Sequence, residues 1–335
     1  MKIAITADPT IPVPPQNYGG IERIIGFLVT GLIKNGHDVI LVANKESQID
    51  ASLIKYCCAD QNIIAQLKNM LTVAQLKSFK PDVIHSFSRI AYLLPFFRSK
   101  TPKIMSYQRK PTIGQIKKAL HIAKRDSLSF TGCSNYISNQ IRPFAKVNTV
   151  YNGVELDLYQ PNLKVEDHSP LIFLGRIEPI KGTHIAIEVA LQSNRKLIIA
   201  GNIPSKQLTY FNVEVAPFLN EQIIYVGEVN DSQKNELLRN AAALLMPIQW
   251  DEPFGIVMTE AMACGTPIIA FNRGSVPEIV SHENNGFVCS TIGEMVDAVH
   301  KIDRIDRSLV RKDCEDRFSA KVIVENYIAL YQSLI

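Results

Sequence analysis

Two consecutive series of short apolar runs, separated by helix-like stretches, constrain the fold of this chain more than any other feature. The runs of the first series are "KIAIT" (2–6), "HDVILVAN" (37–44), "DVIHSF" (82–87), "KIMSYQ" (103–108), "SFTGCS" (129–134) and "VNTVYNG" (147–153). Those of the second series are "LIFLG" (171–175), "KLIIAG" (196–201), "IIYVGE" (223–228), "ALLMP" (243–247) and "PIIAF" (267–271). Alternation of strands and helices is typical of a parallel sheet with helices on both faces. We therefore predict an α/β protein of two Rossmann-like, doubly wound domains that face a cleft.

The polar, proline-bounded segment 161–170 separates the two series and is predicted to be the domain linker. With 335 residues, of which 46% are hydrophobic, the chain is long enough for two domains that each have a core. A single domain of this size is the less favoured alternative. We expect one domain at 1–160 and another at 161–318, followed by a final helix over about 319–335.

The six cysteines show no C-x-x-C pair and no repeated spacing, which argues against a zinc site and a disulfide framework. The first residues, "MKIAITADP", begin a strand without a charged and apolar leader, and no apolar run approaches about 18 residues. We expect a cytoplasmic protein that is neither secreted nor membrane-spanning.

The two halves of the chain differ in charge. Residues 1–152 contain 20 Lys and Arg against 8 Asp and Glu, and residues 153–335 contain 16 against 24, which gives net charges of +12 and −8. The excess is concentrated in the basic stretch 98–125, where no acidic residue occurs. Three interpretations of this basic stretch remain open. It could be a face solvated by water, a site for the anionic inner surface of a membrane, or a site for a phosphorylated acceptor molecule. Nucleic acid is disfavoured, because no aromatic-rich binding motif accompanies the charge.

The stretch 251–271, "DEPFGIVMTEAMACGTPIIAF", carries the strongest functional signal. It begins in a loop, enters a short helix, stops at Gly265 and continues as a buried strand. At the start of a helix the backbone N–H groups lack intrahelical partners and suit an anion such as a diphosphate. Here those groups belong to Phe254, Gly255, Ile256 and Val257.

Two carboxylates, Glu252 and Glu260, lie on either side of that helix start and suit hydroxyl groups, since carboxylates accept hydrogen bonds and repel phosphates. Their spacing alone is a weak signal, because Glu228 and Glu236 repeat it. The context of Pro, Gly, small helical residues and an apolar strand makes the signal specific.

Two further motifs could bind phosphate. Gly19 and Gly20 precede a helix, where they form either a flexible turn or a site at which the backbone approaches a phosphate. Arg176 and Lys181 lie in the turn between a strand and a helix; such cations are usually solvated, but at this position they could neutralise a diphosphate without a metal. Neither a G-x-G-x-x-G fingerprint, nor a P-loop, nor an Asp-x-Asp metal motif is present in the sequence.

Three motifs, "YGGIER" (18–23), "LGRIEPIKG" (174–182) and "EPFGIVMTEAMACGTPIIA" (252–270), together resemble those of the retaining glycosyltransferases of family 4, which have the GT-B fold. The resemblance covers nearly the whole chain. It implies metal-independent transfer of a sugar from a nucleotide diphosphate sugar, preferably a UDP-sugar, to a glycan, lipid-linked or small anionic acceptor. No cofactor is implied.

The resemblance also implies roles for individual residues. The N-terminal domain would bind the acceptor, the C-terminal domain the donor, and the last helix would pack back on the N-terminal domain. The implied catalytic residues are Glu252, Arg176 and Lys181. The implied donor-binding residues are Gly19, Gly20, Phe254, Gly255, Ile256, Val257, Glu260, Gly227 and Val229.

The acceptor side is less well defined by the resemblance. Many members of the family have a histidine near the donor sugar, where this chain has Gln108, and Arg109 follows it. His85, at the end of another strand, is interpreted either as a core or capping histidine or as an acceptor-side residue. Two alternatives to a transferase remain open: a nucleotide-sugar epimerase of the same fold and a catalytically silent partner subunit.

Overall fold

The structure, a computed structural model, describes residues 1–15, 19–60 and 62–335. The chain forms two compact units, which we call the N-terminal unit (Met1–Gly153 with Ala320–Ile335) and the C-terminal unit (Val154–Ser319). Each unit contains a parallel sheet with helices, so the predicted fold class is confirmed. The sequence places the boundary after residue 160, whereas the structure divides the units after Gly153.

The sheet of the N-terminal unit has the strand order β3-β2-β1-β4-β5-β6-β7, and all pairs are parallel. Its strands are β1 (Lys2–Thr6), β2 (Asp38–Ala43), β3 (Ser52–Lys55), β4 (Val83–Ser86), β5 (Lys103–Tyr107), β6 (Leu128–Gly132) and β7 (Val147–Thr149). The order reverses between β1 and β4. In open α/β sheets such a switch point is where the carboxyl ends of the strands leave room for a ligand.

The helices of this unit follow from apolar positions at helical spacing. They are α1 (Gly20–Lys34), α2 (Ile63–Ala74), α3 (Leu76–Phe79), α4 (Ile113–Ile122), α5 (Asn135–Ile141) and the C-terminal α13 (Ala320–Gln332), with a 3-10 helix at Ile90–Phe96. A Cβ atom at Gly31 of α1 would lie 2.5 Å from Cγ2 of Val324 of α13. The glycine therefore permits the close packing of α13 on α1.

The sheet of the C-terminal unit repeats the pattern, with the order β10-β9-β8-β11-β12-β13. Its strands are β8 (Leu171–Leu174), β9 (Leu197–Ala200), β10 (Ile223–Gly227), β11 (Ala243–Met246), β12 (Ile268–Phe271) and β13 (Gly286–Cys289). Its helices are α6 (Thr183–Gln192), α7 (Leu208–Glu214), α8 (Asp231–Asn240), α9 (Ile256–Ala263), α10 (Val276–Ile279), α11 (Ile292–Lys301) and α12 (Arg307–Phe318). Helix α8 is capped at its start, because Asn230 and Gln233 form a reciprocal capping box. The switch point of this sheet lies between β8 and β11.

Two strands, β3 and β13, are absent from the prediction. Both lie at the edge of a sheet and have only four residues. A Cβ atom at Gly286 of β13 would lie 2.1 Å from the carbonyl oxygen of Ile268, so this strand depends on close approach to its neighbour rather than on a local apolar pattern.

The described residues contain no helix that combines the length and the hydropathy needed to cross a bilayer. The six cysteines are all free thiols.

Candidate functional site

The switch point of the C-terminal unit brings two of the predicted motifs together. The loop after β8 carries Arg176 and Lys181, and the loop after the neighbouring strand β11 carries Glu252. Because parallel strands end on the same edge of a sheet, residues far apart in sequence meet there. The backbone N–H of Gln249 also donates to the carbonyl oxygen of Ile180 at 2.8 Å, which joins the two loops directly.

Glu252 is held by two donors. The Nζ atom of Lys181 lies 2.8 Å from its Oε2 atom, and Nε1 of Trp250 donates to the same oxygen at 3.1 Å. The ammonium group of Lys181 also lies 5.2 Å from the centroid of the Trp250 ring, within the range of a cation–π interaction. The side chains of Lys181 and Glu252 are only 22% and 10% exposed, so the pair is largely shielded from water.

Two glycines, Gly182 in the loop after β8 and Gly274 in the loop after β12, allow close approach to the loop after β11. Gly182 has a φ of 77°, and a Cβ atom there would lie 2.0 Å from the carbonyl oxygen of Pro247. Gly274 has a φ of 57°, and a Cβ atom there would lie 2.3 Å from the carbonyl oxygen of Glu252. The neighbouring Ser275 donates its N–H to that same oxygen at 2.9 Å. The loop 272–275 therefore fixes the backbone of Glu252.

Helix α9 begins where the sequence predicts it. Gly255 is its N-cap, with a φ of 79° that favours glycine. Phe254 is buried just before the helix. The first N–H groups of α9, including those of Ile256 and Val257, point out of the helix without intrahelical acceptors, which is the arrangement that suits an anion.

Glu260 lies on α9 and is almost completely buried. Its Oε1 atom accepts hydrogen bonds from the hydroxyl of Tyr159 at 2.8 Å and from Nζ of Lys234 at 2.5 Å. The Lys234 ammonium also lies 5.4 Å from the centroid of the Tyr159 ring. These contacts orient the carboxylate and neutralise its charge.

The remaining predicted donor-side residues lie near the carboxyl ends of β8 and β10. Arg176 pairs with Glu178 at 2.8 Å, and its side chain is 39% exposed. Gly227 ends β10 with a φ of 80°, and its carbonyl oxygen accepts a hydrogen bond from the N–H of Gly201 at 2.8 Å. Val229 follows it in the loop before α8.

A separate cavity of about 480 Å³ lies in the N-terminal unit. Residues that follow the carboxyl ends of β1, β4 and β5 line it, so it occupies the switch point of that sheet. Both Gln108 and Arg109 line this cavity. The Oε1 atom of Gln108 accepts a hydrogen bond from Nδ2 of Asn152 at 2.7 Å, which orients the amide.

The two glycines of the first motif also belong to the N-terminal unit. Gly19 is the N-cap of α1, and Gly20 is its first residue. A Cβ atom at Gly19 would lie 2.6 Å from Cβ of Pro15, so glycine is required for packing there. Tyr18, the first residue of the motif, lies outside the described residues.

The comparisons with known proteins agree with these motifs. The family model of glycosyl transferases group 1 matches residues 157–312. An uncharacterized glycosyltransferase of Methanocaldococcus jannaschii, MJ1607, is 31% identical over 335 aligned residues, which cover 85% of this chain and 84% of the relative. The chain belongs to the group 1 glycosyltransferases.

Solved structures show that this glycosyltransferase has the GT-B fold. The sucrose-phosphate synthase of Thermosynechococcus elongatus is similar with a TM-score of 0.80 at 18% identity, covering 99% of this chain and 98% of that one. The Anabaena protein Alr3699/HepE, crystallised with UDP and glucose, is similar with a TM-score of 0.77 at 18% identity, covering 99% and 100%.

The structure corrects the interpretation of His85 as an acceptor-side residue of the glycosyltransferase. Its side chain is completely buried, with Nδ1 lying 2.6 Å from the hydroxyl of Tyr331 and Nε2 lying 2.6 Å from Oγ of Ser106. Burial lowers the pKa of His85 to about 3. His85 is therefore a neutral core residue that binds helix α13 to the sheet, and it does not line the cavity.

Sequence reasoning also missed several residues at the site of the glycosyltransferase. Trp250 donates a hydrogen bond to Glu252, and Tyr159 and Lys234 donate hydrogen bonds to Glu260. Trp250 is the only tryptophan of the chain and stands two residues before Glu252, which is a signal that the sequence does contain. Tyr159 and Lys234 are distant in sequence from α9, and no local pattern connects them with it.

Proposed function

We propose that this glycosyltransferase transfers a sugar from a UDP-sugar to its acceptor with retention of the anomeric configuration. The observation that carries the proposal is the Lys181–Glu252 pair at the switch point of the C-terminal unit, beside the start of α9. A cation and a helix start suit a diphosphate, while a shielded carboxylate suits sugar hydroxyls. The GT-B relative crystallised with UDP and glucose supports the choice of UDP.

In the proposed reaction, the bond between C1 of the sugar and the diphosphate oxygen breaks, and the electron pair leaves with the diphosphate. Lys181, Arg176 and the N–H groups at the start of α9 stabilise the growing negative charge, so that no metal is needed. The acceptor oxygen forms the new bond to C1 on the same face. Its proton passes to an oxygen of the departing phosphate.

The two glutamates have different proposed roles. Glu252 accepts hydrogen bonds from hydroxyls of the donor sugar, and Trp250 keeps its carboxylate in place when Lys181 turns to the diphosphate. Glu260 accepts hydrogen bonds from the ribose, and Tyr159 and Lys234 orient it. The backbone around Gly227 and Val229 contacts the base. Gly19 and Gly20 remain predicted contacts of the donor phosphates.

We propose that the N-terminal unit binds the acceptor. The basic stretch 98–125 is divided in the structure, and this division favours the acceptor interpretation over a uniformly solvated face. Lys103 is buried and donates to the carbonyl oxygens of Phe96, Ser99 and Thr101, so it is not a surface cation. By contrast, Arg109, Lys110 and Lys118 line the cavity.

Association with an anionic membrane is the second part of the proposal for this unit. It rests on the basic stretch and on the exposed apolar side chains of α2, namely Ile63, Ile64, Leu67 and Leu71. Sedimentation with vesicles that contain phosphatidylglycerol tests it at low and high salt. Salt-sensitive binding is the expected result, and equal amounts of protein in the pellet with and without vesicles would reject membrane association.

The function is tested by transfer from radiolabelled UDP-glucose to candidate acceptors, with the Lys181→Ala and Glu252→Ala variants. We expect each variant to lose roughly a hundredfold or more of kcat/KM, as for other groups that stabilise transition-state charge. Lys301→Ala is the matched control, because Lys301 is exposed at the end of α11. Full activity of either site variant would refute the site.

The same assay distinguishes the alternatives. NMR of the product gives its anomeric configuration, and activity that persists in EDTA supports metal independence. An isomerised nucleotide sugar formed without any acceptor would identify an epimerase. A chain that neither transfers nor isomerises any of the UDP-, GDP- and ADP-sugars would be a silent partner.

A further inference from the structure

We propose that the cavity of the N-terminal unit binds an anionic amphiphile, a molecule with a negatively charged head group and an apolar chain, as the acceptor. The role of this molecule as the acceptor rests on the proposed function. The binding of such a molecule to the cavity can nevertheless be measured without the donor. Three features of the cavity favour such a ligand: an apolar wall, a charged rim and one buried hydroxyl.

The interior wall of the cavity is apolar. Phe87, Phe97 and Met105 contribute to it and are nearly inaccessible to solvent. Towards the outside, Leu94 and Ile122 also line the cavity, although they are 43% and 54% exposed. An apolar chain of a ligand that covered Leu94 and Ile122 would remove their surface from water. This burial is favourable in proportion to the area buried.

The polar part of the lining is strongly cationic. Four basic residues, Arg89, Arg109, Lys110 and Lys118, line the cavity against a single acidic residue, Asp8. Among the residues that the structure describes, none of the four forms an ion pair with a carboxylate. Four cations against one carboxylate in the lining leave an excess of positive charge, which attracts an anion and can donate several charge-assisted hydrogen bonds to it.

One polar atom within the cavity is still without a partner. The Oγ atom of Ser88 is buried, and it forms no hydrogen bond with any part of the chain that the structure describes. A buried hydroxyl without a partner is unfavourable by about 1–3 kcal/mol. A ligand oxygen in the cavity would satisfy it.

The combination selects against simpler ligands. A neutral glycan would leave the excess of positive charge unbalanced and would place polar groups against the aromatic wall. A small inorganic anion would bind the cations but would leave Leu94 and Ile122 exposed to water. A neutral lipid would cover the wall only. An anionic amphiphile provides a charge for the cations and an apolar chain for the apolar side chains of the lining.

Isothermal titration calorimetry with the full chain tests the proposal with three probes. Dodecyl phosphate, used below its critical micelle concentration, carries both parts of the ligand; dodecyl maltoside replaces the head by a neutral sugar, and inorganic phosphate lacks the chain. We expect dodecyl phosphate to bind at least tenfold more tightly than either of the others. Equal affinity for dodecyl maltoside or for inorganic phosphate would overturn the proposal.

Matched variants locate the binding. The double variant Arg109→Gln/Lys118→Gln is expected to weaken dodecyl phosphate binding at least tenfold. Lys117→Gln is the control on the same helix, because the Lys117 ammonium lies 4.6 Å from the centroid of the Phe144 ring and the residue does not line the cavity. A loss of binding in Lys117→Gln equal to that in the double variant would show nonspecific attraction and reject the cavity site.

The contact with the apolar chain of the ligand is tested separately with Ile122→Ser. The control is Leu309→Ser in the C-terminal unit, because Leu309 is 60% exposed and Ile122 is 54% exposed. Only Ile122→Ser is expected to weaken binding of dodecyl phosphate, by roughly three- to tenfold. Unchanged binding of dodecyl phosphate by both variants would overturn the proposed contact between the cavity and the apolar chain of the ligand. Circular dichroism verifies that the variants are folded.

The source of the amphiphile is decided by competition. If vesicles that contain phosphatidic acid displace dodecyl phosphate, the ligand is a lipid taken from a bilayer. If only monomeric anionic amphiphiles displace it, the ligand is a soluble acceptor. Loss of sugar transfer in every assay with intact dodecyl phosphate binding would reject the proposed function alone. Transfer to a neutral glycan in the absence of dodecyl phosphate binding would reject this inference alone.

Discussion

The ammonium group of Lys181 lies 2.8 Å from a carboxylate oxygen of Glu252, although 71 positions separate the two residues in the chain. Each of these groups therefore neutralises the other. A donor diphosphate would compete with Glu252 for the ammonium group, and the sugar hydroxyls would compete with Lys181 for the carboxylate. The indole N–H of Trp250 donates to the same carboxylate oxygen at 3.1 Å, a hydrogen bond that the proposed exchange would leave in place.

Trp250→Phe tests this supporting role. The substitution keeps an aromatic ring over Lys181 and removes the Nε1–H donor to Glu252. Because a hydrogen bond to a charged group contributes about 1.5–3 kcal/mol, we expect kcat/KM for the UDP-sugar to fall roughly tenfold or more. Steady-state kinetics measure the change. A variant with wild-type kcat and KM would show that Trp250 does not position Glu252.

Lys234→Met tests the support of Glu260. The variant leaves the Glu260 carboxylate with Tyr159 as its remaining donor among the contacts described above, and the buried charge loses its cation. We expect donor affinity to fall about tenfold, because a buried carboxylate without its partner is poorly oriented and costly to desolvate. Calorimetric titration with UDP measures it. Glu236→Gln, at the second glutamate pair of equal spacing, is exposed and should bind UDP normally.

Gly274→Ala tests the loop that fixes Glu252. Gly274 has a positive φ of 57°, and the added methyl group would lie 2.3 Å from the Glu252 carbonyl oxygen. The loop must therefore shift, and we expect a loss of stability of about 1–3 kcal/mol together with reduced transfer. Chemical denaturation and kinetics measure both. The matched control is Gly114→Ala in α4, where a Cβ atom meets nothing within 4 Å. This control should be at least as stable as the wild type.

The buried His85 predicts a loss of stability in acid. Its pKa is about 3 in the folded protein against an ordinary value near 6.5, so the unfolded chain binds a proton between these pH values and the folded chain does not. The free energy of unfolding therefore falls as pH decreases from about 6.5 towards 3, by up to about 1.4 kcal/mol per pH unit from this group. Above pH 6.5 the contribution is constant.

Urea denaturation of His85→Gln at pH 7.5 and pH 5 measures this contribution. The variant should be less stable than the wild type at pH 7.5, because its hydrogen bonds to Tyr331 and Ser106 change, but it should lose less stability on acidification. His121→Gln is the control, since His121 is exposed in the same unit. Equal pH dependence in both variants would contradict the assignment of the acid sensitivity to His85.

Local patterns in the sequence were sufficient for the fold class and for most of the motifs. Short continuous apolar runs predicted the central strands, such as β1 and β8, because a buried parallel strand is apolar along its whole length. The helix start at Gly255 followed from the change between loop and helix composition. The resemblance to the family predicts that Arg176, Lys181 and Glu252 belong to one site.

Edge strands and contacts distant in sequence could not be predicted in this way. The strands β3 and β13 are short and depend on a neighbour, and the bonds from Tyr159 and Lys234 to Glu260 arise only when separate segments meet. His85 shows the same limit. Its sequence context, the end of an apolar strand, is equally compatible with a ligand site and with the core, and only the packing of α13 decides between them.

Local periodicity and composition were therefore enough to predict the two doubly wound domains and the motifs at the carboxyl ends of the strands, and the resemblance of three motifs predicted the family. Which side chains share a hydrogen bond depends instead on how the chain folds. In the folded protein Lys181 contacts Glu252, and His85 and Lys103 are buried. One cavity is lined by Arg109, Lys110 and Lys118. The physical reason is that burial and charge pairing depend on distances through space, which the folded sheet sets and the order of residues does not.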